Sequence, residues 1–302
     1  MTQGIPLDRV FIHKSTAHET TIHWTTLGPS TSPPLIFIHG TPWSSFVWTA
    51  YAKSLAAHFK IYLFDHPGYG ASPPRTPLHA LTGAPTEPDV SLAGLAEAFA
   101  DLYKAWGFGA RQAPPPHVVA HDIGGIVALR AHLLHGCRYA SLCAVDVVAL
   151  RPFGSPFYRL VARNAAVFAA VPDAVYAGML RAYIAGAAYA PLAGEVADML
   201  AAPWVGGKQG QAGFVRQIAQ ADERHVAEVE DRYAEVGRAM PVKVVWGRED
   251  EWIPVAQAAR LGEALGAREV VVVEDAGHLV MFDQPERLAT ELTLWLMGVT
   301  GL

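Results

Sequence analysis

The feature that most restricts the fold is a recurring pair: a short unbroken apolar run closed by a turn, then a stretch at helical spacing. Leu35-Ile36-Phe37-Ile38 ends in His39-Gly40, and helical spacing (Phe46, Val47, Ala50, Leu55) follows over 44–59. A second run, 61–64, is closed by Asp65-His66-Pro67-Gly68, and Ser91 then caps a predicted helix reaching about Trp106. His117-Val118-Val119-Ala120 leads through a turn into a predicted helix over about 125–135, and 139–148 reads as the next strand. Runs at 242–246 and 269–273 flank a predicted helix at about 254–265, and a last helix spans 285–297. Uninterrupted apolar runs of this length suit strands buried on both faces of a parallel sheet. At the start, 9–14 and 20–25 alternate at period two and read as a strand pair. Strand–helix alternation of this kind predicts an α/β fold with a mainly parallel sheet. A long Pro-rich loop is expected over about 70–89. The rhythm breaks between about 151 and 240, where only helical patterns occur. Residues 1–150 and 241–302 are therefore expected to form one core, with 151–240 inserted into it.

Composition narrows the function classes. Of 302 residues, 51% are apolar and only 17% charged, which argues against disorder. Twenty-three basic and 28 acidic residues give a net charge of −5 with no basic run, so a phosphate-tracking nucleic-acid surface is not expected. No apolar run approaches the roughly 18 residues a membrane span needs, and the first fourteen residues lack a signal-peptide core. Cys137 and Cys143 show neither metal nor redox spacing, which suits a reducing compartment. A cytoplasmic protein is expected. No HExxH pair and no Gly-rich dinucleotide fingerprint occur, so neither metal nor cofactor is expected. Nothing in the pattern selects an oligomeric state.

The most informative stretch reads HVVAHDIGG over 117–125. A buried strand, a polar side chain at 122 and two glycines opening a helix make the geometry of a nucleophile elbow. Such a turn holds its side chain above the carboxyl edge of the sheet, with the helix N-terminus and the Ile123 N–H beside it. Here the residue is Asp122. An N-capping aspartate in an ordinary strand–helix turn is the plainer alternative. Two later features bear on the choice. Asp250 follows the run at 242–246, and His278 follows the run at 269–273 in Asp275-Ala276-Gly277-His278. In a parallel sheet both loops leave at the same edge as Asp122, in the chain order nucleophile, acid, histidine. Asp146, at the end of the run 139–148, is an alternative acid, and the loop around Asp250 fits better.

With these residues in hand, the chain resembles the α/β-hydrolase superfamily over essentially its whole length. His39-Gly40-Thr41-Pro42 looks like its HGxP oxyanion motif, and Asp65 to Ser72 resembles its D-x-P-G-x-G-x-S loop. The resemblance implies a mainly parallel eight-stranded sheet flanked by helices, with 151–240 as a helical cap domain. It implies backbone donors at Thr41 and Ile123 forming the oxyanion hole. An aspartate on the elbow resembles the branch holding epoxide hydrolases and the haloalkane and haloacetate dehalogenases. A carboxylate, with a reference pKa of about 3.9, is ionised at neutral pH without help. It would displace a leaving group at saturated carbon to give an ester on Asp122, which His278, oriented by Asp250, would hydrolyse by activating water.

The leaving group is less legible. Haloalkane dehalogenases usually carry Trp after the nucleophile and often Asn in the HGxP motif, where this chain has Ile123 and Thr41. Trp43, Trp48 or Trp204 is then a candidate donor. Haloacetate dehalogenases usually have Arg after the nucleophile. Epoxide hydrolases use two cap tyrosines to protonate the opening oxygen. Tyr158 lies about where the first is expected, but Val215 stands before Arg216 where the second usually sits, so the pair looks incomplete. Epoxide hydrolysis is the favoured reading and haloalkane dehalogenation the alternative. A cofactor-free lyase or C–C hydrolase, and a non-catalytic receptor, stay open. The low charge and the Ala-rich insertion favour a small apolar substrate, with water as the second reactant.

Overall fold

Motifs far apart in the chain meet because of the order in which the strands lie. The computed structural model describes residues 4–78 and 87–301, so 79–86 of the expected Pro-rich loop lie outside the described residues. Its strands are β1 (Arg9–Lys14), β2 (His18–Leu27), β3 (Pro34–Ile38), β4 (Lys60–Phe64), the two-residue β5 (Thr76–Pro77), β6 (His117–Asp122), β7 (Ser141–Val147), β8 (Val242–Gly247) and β9 (Glu269–Val273). They form one sheet in the order β1-β2-β4-β3-β6-β7-β8-β9, with β5 paired to β2. The eight-strand path is as expected, and β5 is an addition. β2 runs antiparallel to its neighbours, while β4 through β9 along this path are parallel. The loops after β3, β6, β7, β8 and β9 therefore emerge side by side at one edge.

Every residue of β6, β7 and β8 is buried, which explains why these runs lack alternation. The core helices are α1 (Thr49–Leu55), α2 (Leu92–Ala105), α3 (Ile123–His135), α11 (Ala256–Leu265), α12 (Val280–Asp283) and α13 (Pro285–Thr300). The single helix expected over 44–59 is instead a 3-10 turn, Ser45–Trp48, followed by the short α1. The Leu55 carbonyl accepts the N–H groups of both His58 and Phe59, and this closing turn feeds β4. α3 starts at Ile123, two residues before the expected start, and buries each of its first nine residues. It lies between the sheet and α2 together with two helices further along the chain, Arg224–Glu230 and Tyr233–Ala239, so it shows no polar face.

Seven helices run between β7 and β8: α4 (Pro156–Arg163), α5 (Ala165–Ala170), α6 (Asp173–Ala185), α7 (Gly194–Val205), α8 (Lys208–Gln220), α9 (Arg224–Glu230) and α10 (Tyr233–Ala239). Ser155 caps α4 by accepting the Tyr158 N–H at 3.2 Å, and Pro156 occupies the first turn, where no N–H is needed. Part of the apolar content of this insertion faces outward: Leu160, Val167 and Val175 are all more than half exposed. Among the described residues no helix is long and apolar enough to cross a membrane.

Candidate active site

Asp122 is the last residue of β6, at φ 53° and ψ −127°, a backbone conformation rarely adopted by a residue with a side chain. The turn is possible because its neighbours are small. A Cβ on Gly40 would fall 2.3 Å from Asp122 Cβ, and one on Gly125 would fall 2.4 Å from Val147 Cβ. Asp122 precedes α3 but makes no capping hydrogen bond, so it is not the ordinary N-cap of the plainer alternative. Its side chain instead turns to two other loops. The Thr41 N–H donates to Asp122 Oδ1 at 2.7 Å, and His278 Nε2 lies 3.3 Å from Asp122 Oδ2. Ile123 opens α3, so its N–H belongs to the first turn, whose donors have no intrahelical partner.

His278 follows β9 and its Nδ1 lies 2.8 Å from Asp250 Oδ2. Asp250 is itself fixed: its Oδ1 accepts the N–H groups of Trp252 and Ile253, each at 2.8 Å. From the far side, His121 Nε2 donates to the His278 carbonyl at 2.9 Å. Burial, reinforced by the charge of His278, pushes the His121 pKa down to about 3, so this neighbour is neutral. Asp146 does not reach the histidine by a hydrogen bond; its Oδ1 accepts the Gly247 N–H at 2.7 Å. Burial and then the charge of Asp250 push its pKa well up, toward the protonated form.

The charges at the centre follow from this packing. Burial opposes ionisation of Asp122, but the hydrogen bond and charge of His278 outweigh it and hold the carboxyl below its usual range. Burial likewise opposes a charged His278, and Asp250 with Asp122 overcomes it, raising the imidazole well above its ordinary value. His278 thus sits between the carboxyl groups of Asp122 and Asp250, an arrangement that favours its charged form.

Thr41, Asp122 and Ile123 line one small cavity together with Tyr158, Tyr183 and Trp252. No Lys or Arg lines it, and it is closed down to little more than the volume of a water molecule. The Tyr158 hydroxyl is buried with no hydrogen-bond partner among the described residues. Burial, with Asp122 nearby, pushes both tyrosines far above their ordinary pKa, so both are neutral O–H donors. The expected position for a second tyrosine, Val215, is packed into α8, but Tyr183 on α6 brings a second phenol into the cavity. Sequence reading does not single it out because the insertion carries five tyrosines, and only the buried stripe of α6, Tyr176, Leu180 and Ile184, gives its phase. Trp252 was also missed. It stacks on Tyr183 (ring centroids 4.2 Å) and on His278 (5.1 Å), and only its place two residues past Asp250 signals this role.

The three candidate tryptophans lie elsewhere, and Trp48 donates its indole N–H to the Ile38 carbonyl at 3.2 Å. Trp43 stacks on Trp252 at 5.7 Å but does not line the cavity with Asp122. Trp204 donates its indole N–H to the Pro42 carbonyl at 2.9 Å, and so holds the loop after β3. That loop is also tied inward. His39 donates from Nδ1 to the Gly40 carbonyl and accepts the His66 N–H on Nε2, each at 2.9 Å. Asp65 accepts the N–H groups of Ser45 and Ala71, both at 2.8 Å, so its loop is scaffolding. Among the described residues no cluster of His, Cys, Asp and Glu is placed to hold a metal ion.

Comparison with known proteins agrees with this geometry at the level of family. The model of the family described as alpha/beta hydrolase family matches residues 35–291. The chain is 36% identical to an alpha/beta hydrolase fold protein from Burkholderia ambifaria, with TM-score 0.83 over 96% of this chain and 98% of that one. It is 26% identical to a pimeloyl-[acyl-carrier protein] methyl ester esterase from Aeromonas salmonicida, over 88% of this chain and 96% of that protein. It is 25% identical to the dihydrolipoyllysine-residue acetyltransferase component of an acetoin cleaving system from Pseudomonas putida. That match covers 91% of this chain but only 66% of the relative's length.

Proposed function

The chain belongs to the alpha/beta hydrolase family, and from that premise we propose that it is an aspartate-nucleophile hydrolase opening epoxides of small apolar molecules. The reading is carried by one observation: Asp122 shares a small cavity with two phenols, Tyr158 and Tyr183, and no Lys or Arg lines it. In the first step a lone pair on Asp122 Oδ2 forms a bond to an epoxide carbon. The ring C–O bond breaks, its electron pair goes to the oxygen, and a tyrosine O–H supplies the proton. Asp122 is then an uncharged ester.

That loss of charge sets up the second step. The imidazolium of His278 owes its raised pKa in part to Asp122, so esterification lowers it. His278 gives up its proton, the tyrosinate recovers one, and a neutral imidazole is left as base. Water attacks Asp122 Cγ and passes a proton to His278 Nε2. The oxyanion forming at Oδ1 is held by Thr41 N–H and Ile123 N–H, each such donor being worth about 2.7–4 kcal/mol. Collapse expels the alkoxide, which takes the proton back from His278 and leaves as diol.

Haloalkane dehalogenation uses the same nucleophile, and we favour the epoxide over the halide because a phenol O–H can protonate an opening oxygen. Ester hydrolysis takes its support from the names of relatives. With Asp122 as nucleophile it would proceed through an acid anhydride, to which the tyrosine pair contributes nothing evident. The deciding experiment incubates His278→Gln protein with separate terminal epoxides, primary haloalkanes and methyl esters, and weighs the intact chain. A stable epoxide adduct on Asp122 is expected. An adduct from haloalkanes alone, with halide released by the unsubstituted protein, would replace the epoxide reading, and no adduct from any panel member would remove the covalent one.

A further inference from the structure

We propose that Gln217 is a positioning residue that makes the oxyanion donor at Thr41 conditional on closure of the inserted helices over the sheet edge. This inference rests on the aspartyl-ester reading for its kinetic consequence. It starts from the way α8 is docked on the core, which is through glutamine amides. Gln220 accepts the Val90 N–H at 2.7 Å and donates to the Pro88 carbonyl at 3.0 Å. One turn earlier, Gln217 reaches the loop after β3, where its Oε1 accepts the Thr41 hydroxyl. The Tyr69 hydroxyl donates to the same Thr41 oxygen at 3.4 Å. The Thr41 side chain is thereby fixed from two sides while its own N–H holds Asp122 Oδ1 at 2.7 Å.

The next residue is held by the insertion as well, since Trp204 on α7 donates to the Pro42 carbonyl. Two consecutive residues of the oxyanion loop thus depend on helices outside the core. Gln217 is 3% exposed, and its Nε2 has no partner among the described residues. A half-satisfied buried amide is a costly way to fill space, since a methionine of similar length would pack there without stranding a donor. Its position is better explained by what its oxygen does for Thr41.

The closed cavity supplies the other half of the argument. Tyr158 of α4 and Tyr183 of α6 narrow the cavity to roughly the space of one water, so a substrate of several carbon atoms is admitted only when these helices shift, and α8 packs against both. Movement of α8 away from the core parts Gln217 from Thr41 and frees the loop. Closure restores it. The donor matters most when negative charge develops on Asp122 Oδ1 as water adds to Cγ, so the ester is hydrolysed only beneath a closed cap.

The test compares Gln217→Met, Thr41→Val, Thr41→Ser and the Gln217→Met/Thr41→Val double variant, with styrene oxide as probe and rapid-quench intact mass as readout. Gln217→Met should form the ester at close to the parent rate and hydrolyse it about tenfold more slowly. That is less than the 10²–10³ typical of deleting a donor outright. Ester should accumulate, and kcat and KM should fall together. Thr41→Val should slow hydrolysis likewise, the double variant should be no slower than Thr41→Val alone, and Thr41→Ser, which keeps a hydroxyl for Gln217, should hydrolyse the ester faster than Thr41→Val. Ester decaying at the parent rate in Gln217→Met overturns the proposal, as does equal slowing of both steps. Hydrogen exchange read by NMR at the Thr41 amide needs no substrate: faster exchange at Thr41 with unchanged exchange at Ile36 in Gln217→Met supports the coupling, and unchanged exchange at Thr41 overturns it. If neither the parent nor His278→Gln gives an ester, the aspartyl-ester reading fails, and the exchange measurement still decides the coupling.

Discussion

The hydroxyl of Tyr158 is the least comfortable group in the cavity, and its discomfort can be measured. The ring is 7% exposed and packs against Phe153 with centroids 6.3 Å apart, while the oxygen has no partner among the described residues. Tyr158→Phe removes that oxygen and keeps the ring. A stranded buried polar group typically costs about 1–3 kcal/mol, and a hydroxyl beside a cavity with room for about one water belongs at the low end. The variant should therefore be more stable than its parent by about 1 kcal/mol, or about 1.5–2 °C in Tm for a chain of this size. Its chemistry should suffer in the opposite sense: losing one of two positioned acids is expected to slow ester formation about 10²-fold, the lower end for general acid catalysis. Two other tyrosines supply controls of known sign. Tyr176 is 2% exposed with an equally unpartnered hydroxyl, but it packs on Phe214 and does not line the cavity, so Tyr176→Phe should gain stability without slowing the reaction. The Tyr233 hydroxyl donates to the Ala149 carbonyl at 2.5 Å, and Tyr233→Phe should lose about 1 kcal/mol. Denaturant unfolding gives the stabilities, and intact-mass timing in the His278→Gln background gives the rates. A destabilised Tyr158→Phe, or a Tyr176→Phe that slows ester formation as much, would refute the reasoning.

Three further outcomes follow from the same packing. Gly125→Ala places a methyl 2.4 Å from Val147 Cβ, which forces α3 off β7; a loss of about 1–3 kcal/mol in denaturant unfolding is expected, and wild-type stability would contradict it. Burial pushes the pKa of His117 down to about 4, and burial with the charge of His278 pushes that of His121 down to about 3. Both folded values lie below the unfolded value of about 6.5, so their contribution is intact above that pH and is lost as pH falls; at about pH 5 the loss approaches 2 kcal/mol each, and equal stability at about pH 5 and pH 7 would argue against it. Asp250→Asn should slow ester hydrolysis by about 10²–10⁴, because the imidazolium loses its partner while the Trp252 and Ile253 N–H groups keep theirs. Asp146→Asn should leave turnover close to the parent's, since an amide oxygen can accept the Gly247 N–H equally well; a collapse of turnover would return Asp146 to the catalytic set.

What could be read from the sequence was whatever lies on one strand or the loop directly after it. Asp122, Asp250 and His278 each follow a buried run, and parallel pairing of β6 to β7, β7 to β8 and β8 to β9 carries their loops to one edge. The contacts of the insertion were not legible, because seven short helices fix no neighbour order by periodicity. Tyr183 could not be told from Tyr176 or Tyr189, yet one lines the cavity, one is buried against Phe214 and one is 53% exposed. Gln217 carries no motif at all. A weakly charged, Ala-rich insertion would be expected to bury its apolar side chains. Leu160, Val167 and Val175 show instead that part of that apolar content faces outward.

The central claim is that the bond to substrate is made by the Asp122 carboxylate and broken at its carbonyl carbon. A single turnover in heavy-oxygen water, with enzyme in excess over styrene oxide, tests this directly. The account predicts that the heavy oxygen enters the carboxyl group of the peptide bearing Asp122, and that the diol from that turnover carries none. Label in the diol with an unlabelled Asp122 would mean that water attacked the substrate itself, and the ester would have no place in the reaction.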